Sequence, residues 1–238
     1  MIGLGTIINC GSVLAGASVG MLLKNGLSKR FEDTIMQGIG LCTMFIGIGG
    51  ALSGLLTLEN GQLATQHTML LILSLALGAL IGEALNIEKH LEDFGIFCQD
   101  RLKSQGDSHF VEGFVSFSLL ICIGAMAIVG SIQDGLLGDA SLLCAKAALD
   151  AVIILVMTAS MGKGCIFSAI PVAILQGGVT LLSRVIAPVM TDAAIASLSF
   201  TGSVMIFCVG VNLIWGKMIK VANLLPTLVF AVIYTFLF

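Results

Sequence analysis

Long apolar runs alternate with short polar or charged segments from one end of the chain to the other. The runs occupy residues 1–23, 37–56, 67–85, 113–133, 141–162, 165–183, 193–215 and 221–238. A helix needs roughly 17–25 mostly apolar residues to cross bilayer hydrocarbon. The pattern therefore predicts an all-α polytopic membrane bundle of about eight transmembrane helices, forming one integral membrane domain over residues 1–238. A signal peptide competes for the first run, because Ala15-Gly16-Ala17 has the form of a cleavage site. The basic residues Lys24, Lys29 and Arg30 follow that run instead of preceding it, which favours a transmembrane helix.

Two segments between the runs have a different periodicity. Leu27, Phe31 and Ile35 recur every four residues among charges, and Ile87, Leu91, Phe94, Cys98 and Leu102 recur every three or four within residues 87–103. Both predict short amphipathic helices lying along the interface, the second leaving through a loop at 104–108. Glu59, Asn60 and Gly61 read as a short polar loop. Pro171 and Gln176-Gly177-Gly178 predict a kink or break in the sixth run. Asn223 and Pro226 open the last helix, Pro being tolerated in a first turn.

Order and residue type also repeat. Gly16-Ala-Ser-Val-Gly20, Lys29-Arg-Phe-Glu-Asp33 and Phe45-Ile-Gly47 return as Gly78-Ala-Leu-Ile-Gly82, Lys89-His-Leu-Glu-Asp93 and Cys122-Ile-Gly124. This predicts a parallel internal repeat, residues 10–56 and 72–132, about an axis along the membrane normal. Charge then orients the bundle. Lys24, Lys29, Arg30, Lys89, Arg101, Lys103, Lys163, Lys217 and Lys220 fall in alternate loops, and the intervening loops hold only Arg184. By the positive-inside rule both termini of this multi-pass protein face outward.

Composition sharpens this picture. Hydrophobic residues make up 57% and charged residues 11%, against about 25% charged in a soluble domain. The 29 glycines suit close helix contact in lipid, within one chain or in a homo-oligomer. The 7 cysteines are scattered and read as small apolar residues. No basic patch supports nucleic-acid binding. His-Glu-x-x-His, the phosphate-binding Gly-x-x-x-x-Gly-Lys-Ser/Thr and Gly-x-Ser-x-Gly are all missing from the sequence. The reading is thus a non-enzyme with no cofactor or metal, and the bilayer as its first partner.

The stretch 110–151 carries the best chemistry. Within the fifth run Lys146 and Asp150 stand at i and i+4, on one helix face, and lipid solvates neither group. As a functional pair Asp150 carries a cation or proton and Lys146 is its counter-ion. As a structural pair the two merely offset their own desolvation, or Lys146 snorkels outward. Gln133, Asp134, Gln176 and Asn212 form a second candidate set for solute or ion binding, placed among Gly124, Gly130, Gly177 and Gly178 where helices break. In the bland alternative Asp134 caps a turn marked by Asp134, Gly135, Gly138 and Asp139, while Gln176 and Asn212 join helices. Glu83 and Glu112 read as interfacial carboxylates, and His67, His90 and His109 lie outside the spans.

The stretches 123–130, Gly138-Asp139-Ala140-Ser141, Lys146 to Asp150, Ser168 to Pro171 and Asn223-Leu-Leu-Pro226 resemble the YqgA/YdfK-type bacterial inner-membrane family, a domain of unknown function. The resemblance covers nearly the whole chain and implies a membrane address and a fold without an activity. From the residues themselves we expect a transporter or permease for a small solute or ion. The rival expectation is a structural or regulatory membrane component that acts through a partner.

Overall fold

The computed structural model describes residues 1–24, 29–59, 61–101, 109–123 and 125–237. Leu27, Asn60, Leu102, Lys103, the loop at 104–108 and Gly124 lie outside the described residues. Helices follow almost every apolar run: α1 (Leu4–Lys24), α2 (Lys29–Leu55), α3 (Thr68–Leu85), α4 (Ile87–Arg101), α5 (Phe110–Cys122), α6 (Ala125–Leu137), α7 (Ser141–Met161), α8 (Ala169–Leu181), α9 (Ser183–Ile186), α10 (Asp192–Trp215) and α11 (Pro226–Leu237). Among the described residues six helical segments are long and apolar enough to cross a membrane, or seven if the bent pair α5–α6 is one span. The apolar helical stretch Val221–Leu237 is shorter.

Several expectations need correcting. Phe31 and Ile35 belong to α2, which runs unbroken for 27 residues, so among the described residues they form no separate interfacial helix. The run at 113–133 is two helices whose axes differ by 60°. Asp134 and Gly135 lie inside α6, and the turn begins only at Gly138, which has φ +68. Pro171 does not kink its helix. It sits in the first turn of α8, just after a 3₁₀ turn at Lys163–Ser168, and Gln176-Gly177-Gly178 continues the helix. Glu59 and Gly61 belong to a hairpin, β1 (Leu56–Glu59) paired antiparallel with β2 (Gln62–Thr65) in the register Leu56↔Thr65 to Glu59↔Gln62.

Packing inverts the order found in soluble bundles. On α3 the buried residues are Leu70, Ser74, Gly78 and Gly82, one stripe at every fourth position, while Ile72, Leu73, Leu77, Leu80 and Ile81 face outward. Small residues let helix backbones approach where lipid gives no reason to bury leucine. Three helix pairs are built this way. Gly16 and Gly20 of α1 face Ala151, Ile154, Leu155 and Thr158 of α7, so these two helices run parallel. Gly40, Gly47, Gly50 and Gly54 of α2 face Gly210, Phe207, Ser203 and Phe200 of α10, and Gly78 and Gly82 of α3 face Thr227 of α11 and Asn223 in the 3₁₀ turn Val221–Leu224 before it. Methyl groups at Gly16, Gly20, Gly78 or Gly82 would overlap partner backbone. At the centre lies α5, buried over most of its surface through Phe110, Phe114, Phe117, Leu119 and Ile121.

The amphipathic α4 is present from Ile87 as expected. Phe94, Ile96 and Phe97 project outward, and the Arg101 guanidinium lies 5.3 Å from the centroid of the Phe97 ring.

Candidate functional site

Lys146 and Asp150 sit one turn apart in α7, and a carboxylate so placed lies within reach of the ammonium. Nζ of Lys146 donates to both carboxylate oxygens, at 2.8 Å to Oδ1 and 2.7 Å to Oδ2. The two residues are only 6% and 4% exposed. Lys146 therefore does not snorkel; its head turns toward Asp150. By the helical rise Asp150 lies roughly 14 Å from the start of a helix roughly 31 Å long. That is close to its midpoint.

A third residue completes the group. Nδ2 of Asn9, itself fully buried in α1, donates to Asp150 Oδ2 at 3.0 Å. The close parallel packing of α1 on α7 through Gly16 and Gly20 is what brings Asn9 to this depth. Sequence reasoning missed it, although a lone asparagine in an apolar span was itself a signal, because an amide in lipid needs a partner.

Beside the pair lies a cleft of about 620 Å³ between α2, α5, α6, α7 and α10. Lys146 and Asp150 line it together with Ile39, Ile46, Ile121, Val152, Ile153 and Ile206. Ile46 is 63% and Val152 64% exposed, so the cleft opens sideways from the bundle. The junction of α5 with α6 borders it through Leu120, Ile121 and Met126.

The second candidate set divides. Asp134 is fully buried; Gly5 N–H donates to its Oδ2 at 3.0 Å, and Oδ1 has no partner among the described residues. Close by, Thr6 and Thr180 hydroxyls meet at 3.4 Å, joining α1 to α8. Gln176, one turn before Thr180, is 1% exposed with both amide atoms unpartnered among the described residues. Together Thr6, Asp134, Gln176 and Thr180 make a buried polar layer at the α1–α6–α8 contact. Gln133 is half-buried and joins no hydrogen bond among the described residues. Asn212 belongs elsewhere. Its Nδ2 donates to Ile219 O at 2.6 Å and its Oδ1 accepts from Met218 and Ile219 N–H, so its amide shapes the turn after α10.

At the opposite end from Asp134 the charges form a clasp. Asn223 Oδ1 accepts from Glu88 N–H at 2.7 Å, and Ala222 N–H donates to Glu88 Oε2 at 2.8 Å. Asn223 Nδ2 donates to Glu83 Oε2 at 2.7 Å, and Lys220 donates to Glu83 Oε1 at 2.6 Å. Lys217 pairs with Glu92 and lies 3.4 Å from Glu88. Burial pushes the Lys217 pKa down, but hydrogen bonding and charge from Glu92 and Glu88 outweigh it and raise the pKa. Glu112 pairs with His109 at 3.2 Å. Among the described residues no three His, Cys, Asp or Glu side chains converge as metal ligands.

A helical bundle with leucine outside, glycine inside and an ion pair near mid-span is a polytopic integral membrane protein. The chain belongs to the family described as "Protein of unknown function (DUF554)", whose model matches residues 4–236. It is 27% identical to "Uncharacterized membrane protein YdfK" of Bacillus subtilis (strain 168) over 224 residues, 94% of this chain and 92% of that protein. It is 30% identical to "Uncharacterized protein YqgA" of Escherichia coli (strain K12) over 233 residues, 96% and 94% of the two chains. No solved structure matches.

Proposed function

We propose that this protein is an inner-membrane transporter or permease for a small solute or ion, with Lys146, Asp150 and Asn9 at its working site. The observation that carries the reading is a charged pair near the middle of α7, almost wholly buried yet lining a cleft. Ionisable residues at that depth mark solute, ion or proton paths. The broken α5–α6 pair beside it is the kind of irregularity that transporter sites use. Asp134 and Gln176, buried with open hydrogen-bonding capacity, supply a second polar station toward the N-terminal end of α1.

In this reading α5–α6 forms one crossing and Val221–Leu237 the eighth, with both termini outside by the positive-inside rule. The parallel repeat gains support from its two glycine motifs, since Gly16 with Gly20 and Gly78 with Gly82 each seat a helix from the second half of the chain. The rival, a structural or regulatory component, is favoured by the clasp at Glu83, Glu88 and Asn223, where polar groups serve architecture.

Thermal unfolding against a panel of ions, amino acids, organic acids and vitamins, with Asp150→Asn alongside, separates the two. A ligand at 100 times its dissociation constant adds about 2.7 kcal/mol. Stabilisation seen in the wild type and lost in a folded Asp150→Asn variant supports transport through this site. No shift across the panel, with cellular function intact when both charges are replaced by apolar residues, supports the rival.

A further inference from the structure

The two charges lining the cleft are not equivalent. An ammonium has three N–H donors; two of those of Lys146 go to Asp150, and the third has no partner among the described residues. Asp150 is also held from behind by Asn9. A ligand oxygen can therefore accept from Lys146 without breaking any bond, whereas a ligand cation must displace Lys146 from Asp150. The surrounding walls are largely aliphatic, and the volume of about 620 Å³ lies inside the range of roughly 300–1,000 Å³ for small-molecule sites. Entry lies past Ile46 and Val152, on the outward face of the bundle where the acyl chains lie.

We propose that the cleft binds an amphipathic organic anion, a single aliphatic chain ending in a carboxylate, with the carboxylate on Lys146 and the chain along Ile39, Ile121, Ile153 and Ile206. This rests on the reading of the pair as a working site. Charge balance adds a condition. Lys146 and Asp150 cancel, so a bare anion leaves one uncompensated negative charge in a low dielectric. One proton from solution therefore accompanies each anion and goes to Asp150, whose O–H then donates to the ligand carboxylate. Among the described residues the other titratable groups around the pair are the thiols of Cys10 on α1, Cys42 on α2 and Cys122 on α5. No second carboxylate or cation among the described residues lines the cleft.

The test uses the full chain in phosphatidylcholine nanodiscs, with thermal unfolding read against decanoate, decanol and decyltrimethylammonium. Decanoate should stabilise at concentrations about tenfold or more below decanol, the scale of a hydrogen bond to a charged group. Above the pKa of decanoate its affinity should rise up to tenfold for each unit that the pH falls. Lys146→Met paired with Asp150→Asn should abolish the preference for decanoate. Val152→Trp, which changes only an exposed residue at the mouth, should weaken decanoate without loss of folding. Equal response to decanol, preference for the cation, or an affinity independent of pH overturns the proposal. So does stabilisation by phosphatidylglycerol alone that Val152→Trp removes, which assigns the cleft to lipid. If decanoate fails while another solute still depends on Asp150, the anion proposal falls and the transport reading stands.

Discussion

Asn223→Leu tests whether the clasp is a real determinant of the fold. The side chains are close in size, so the change removes hydrogen bonds while leaving little void. Asn223 is 3% and Glu88 4% exposed, so the Glu88 N–H would stay buried with its partner gone. An orphaned donor costs about 1–3 kcal/mol. Glu83 also loses the Nδ2 donor, but it is 58% exposed on its side chain and keeps Lys220, so that loss adds little. The cost, about 1–3 kcal/mol, should lower the melting temperature by about 2–12 °C at this chain length. Hydrogen exchange localises the effect: the Glu88 and Ala222 amides should lose protection, while those of α5 keep it. A wild-type melting temperature with both amides still protected would refute the reasoning. Asn223→Asp preserves the acceptor for Glu88 N–H but sets a carboxylate against Glu83. Its penalty should therefore shrink as pH falls and one of the two carboxyls protonates.

Removing one member of the ion pair by Lys146→Met should destabilise by about 3–5 kcal/mol. The double change Lys146→Met with Asp150→Asn, which keeps an acceptor for Asn9, should recover most of that in thermal unfolding while abolishing solute-dependent stabilisation. Gly20→Leu should cost more than Gly177→Ala, because a side chain at Gly20 meets α7 whereas Gly177 has open space around it. Gly177→Ala should stabilise by up to about 1 kcal/mol from helix propensity, as melting temperatures will show. The raised pKa of Lys217 makes its contribution to the clasp complete below the ordinary value of 10.5 and lost as pH rises through the higher folded value. Emission from Trp215, the single tryptophan, should report that loss above pH 10.5, and Glu92→Gln should move it to lower pH.

The helices were legible because apolar run length is a strong signal, and α3, α4, α7 and α10 begin within two residues of expectation. The hairpin was legible too and went unread. Leu56-Thr-Leu-Glu-Asn-Gly-Gln-Leu-Ala-Thr65 alternates around Asn-Gly, the pair that suits a tight β-turn. Hydropathy alone hid the α5–α6 break, since Ile123 and Met126 are as apolar as a continuous helix would be. Of the site, Lys146 and Asp150 stood out as charges in an apolar span. Asn9 and Thr6 did not, because their roles depend on which helix α1 meets. Asn212 looked like a site residue for the same reason: an amide near a helix end bonds either a ligand or its own turn, and only the path of residues 216–220 decides.

The parallel contact between α1 and α7 has a consequence for biosynthesis. Asn9 is separated from Asp150 by 141 positions. At a synthesis rate of about 5–20 residues per second, α1 waits in the bilayer on the order of ten seconds before α7 exists to cover it. Throughout that interval its asparagine and small-residue stripe lie bare in lipid. An unfinished or abandoned chain thus displays a face that the completed protein hides, by which a membrane protease or chaperone can tell the two apart.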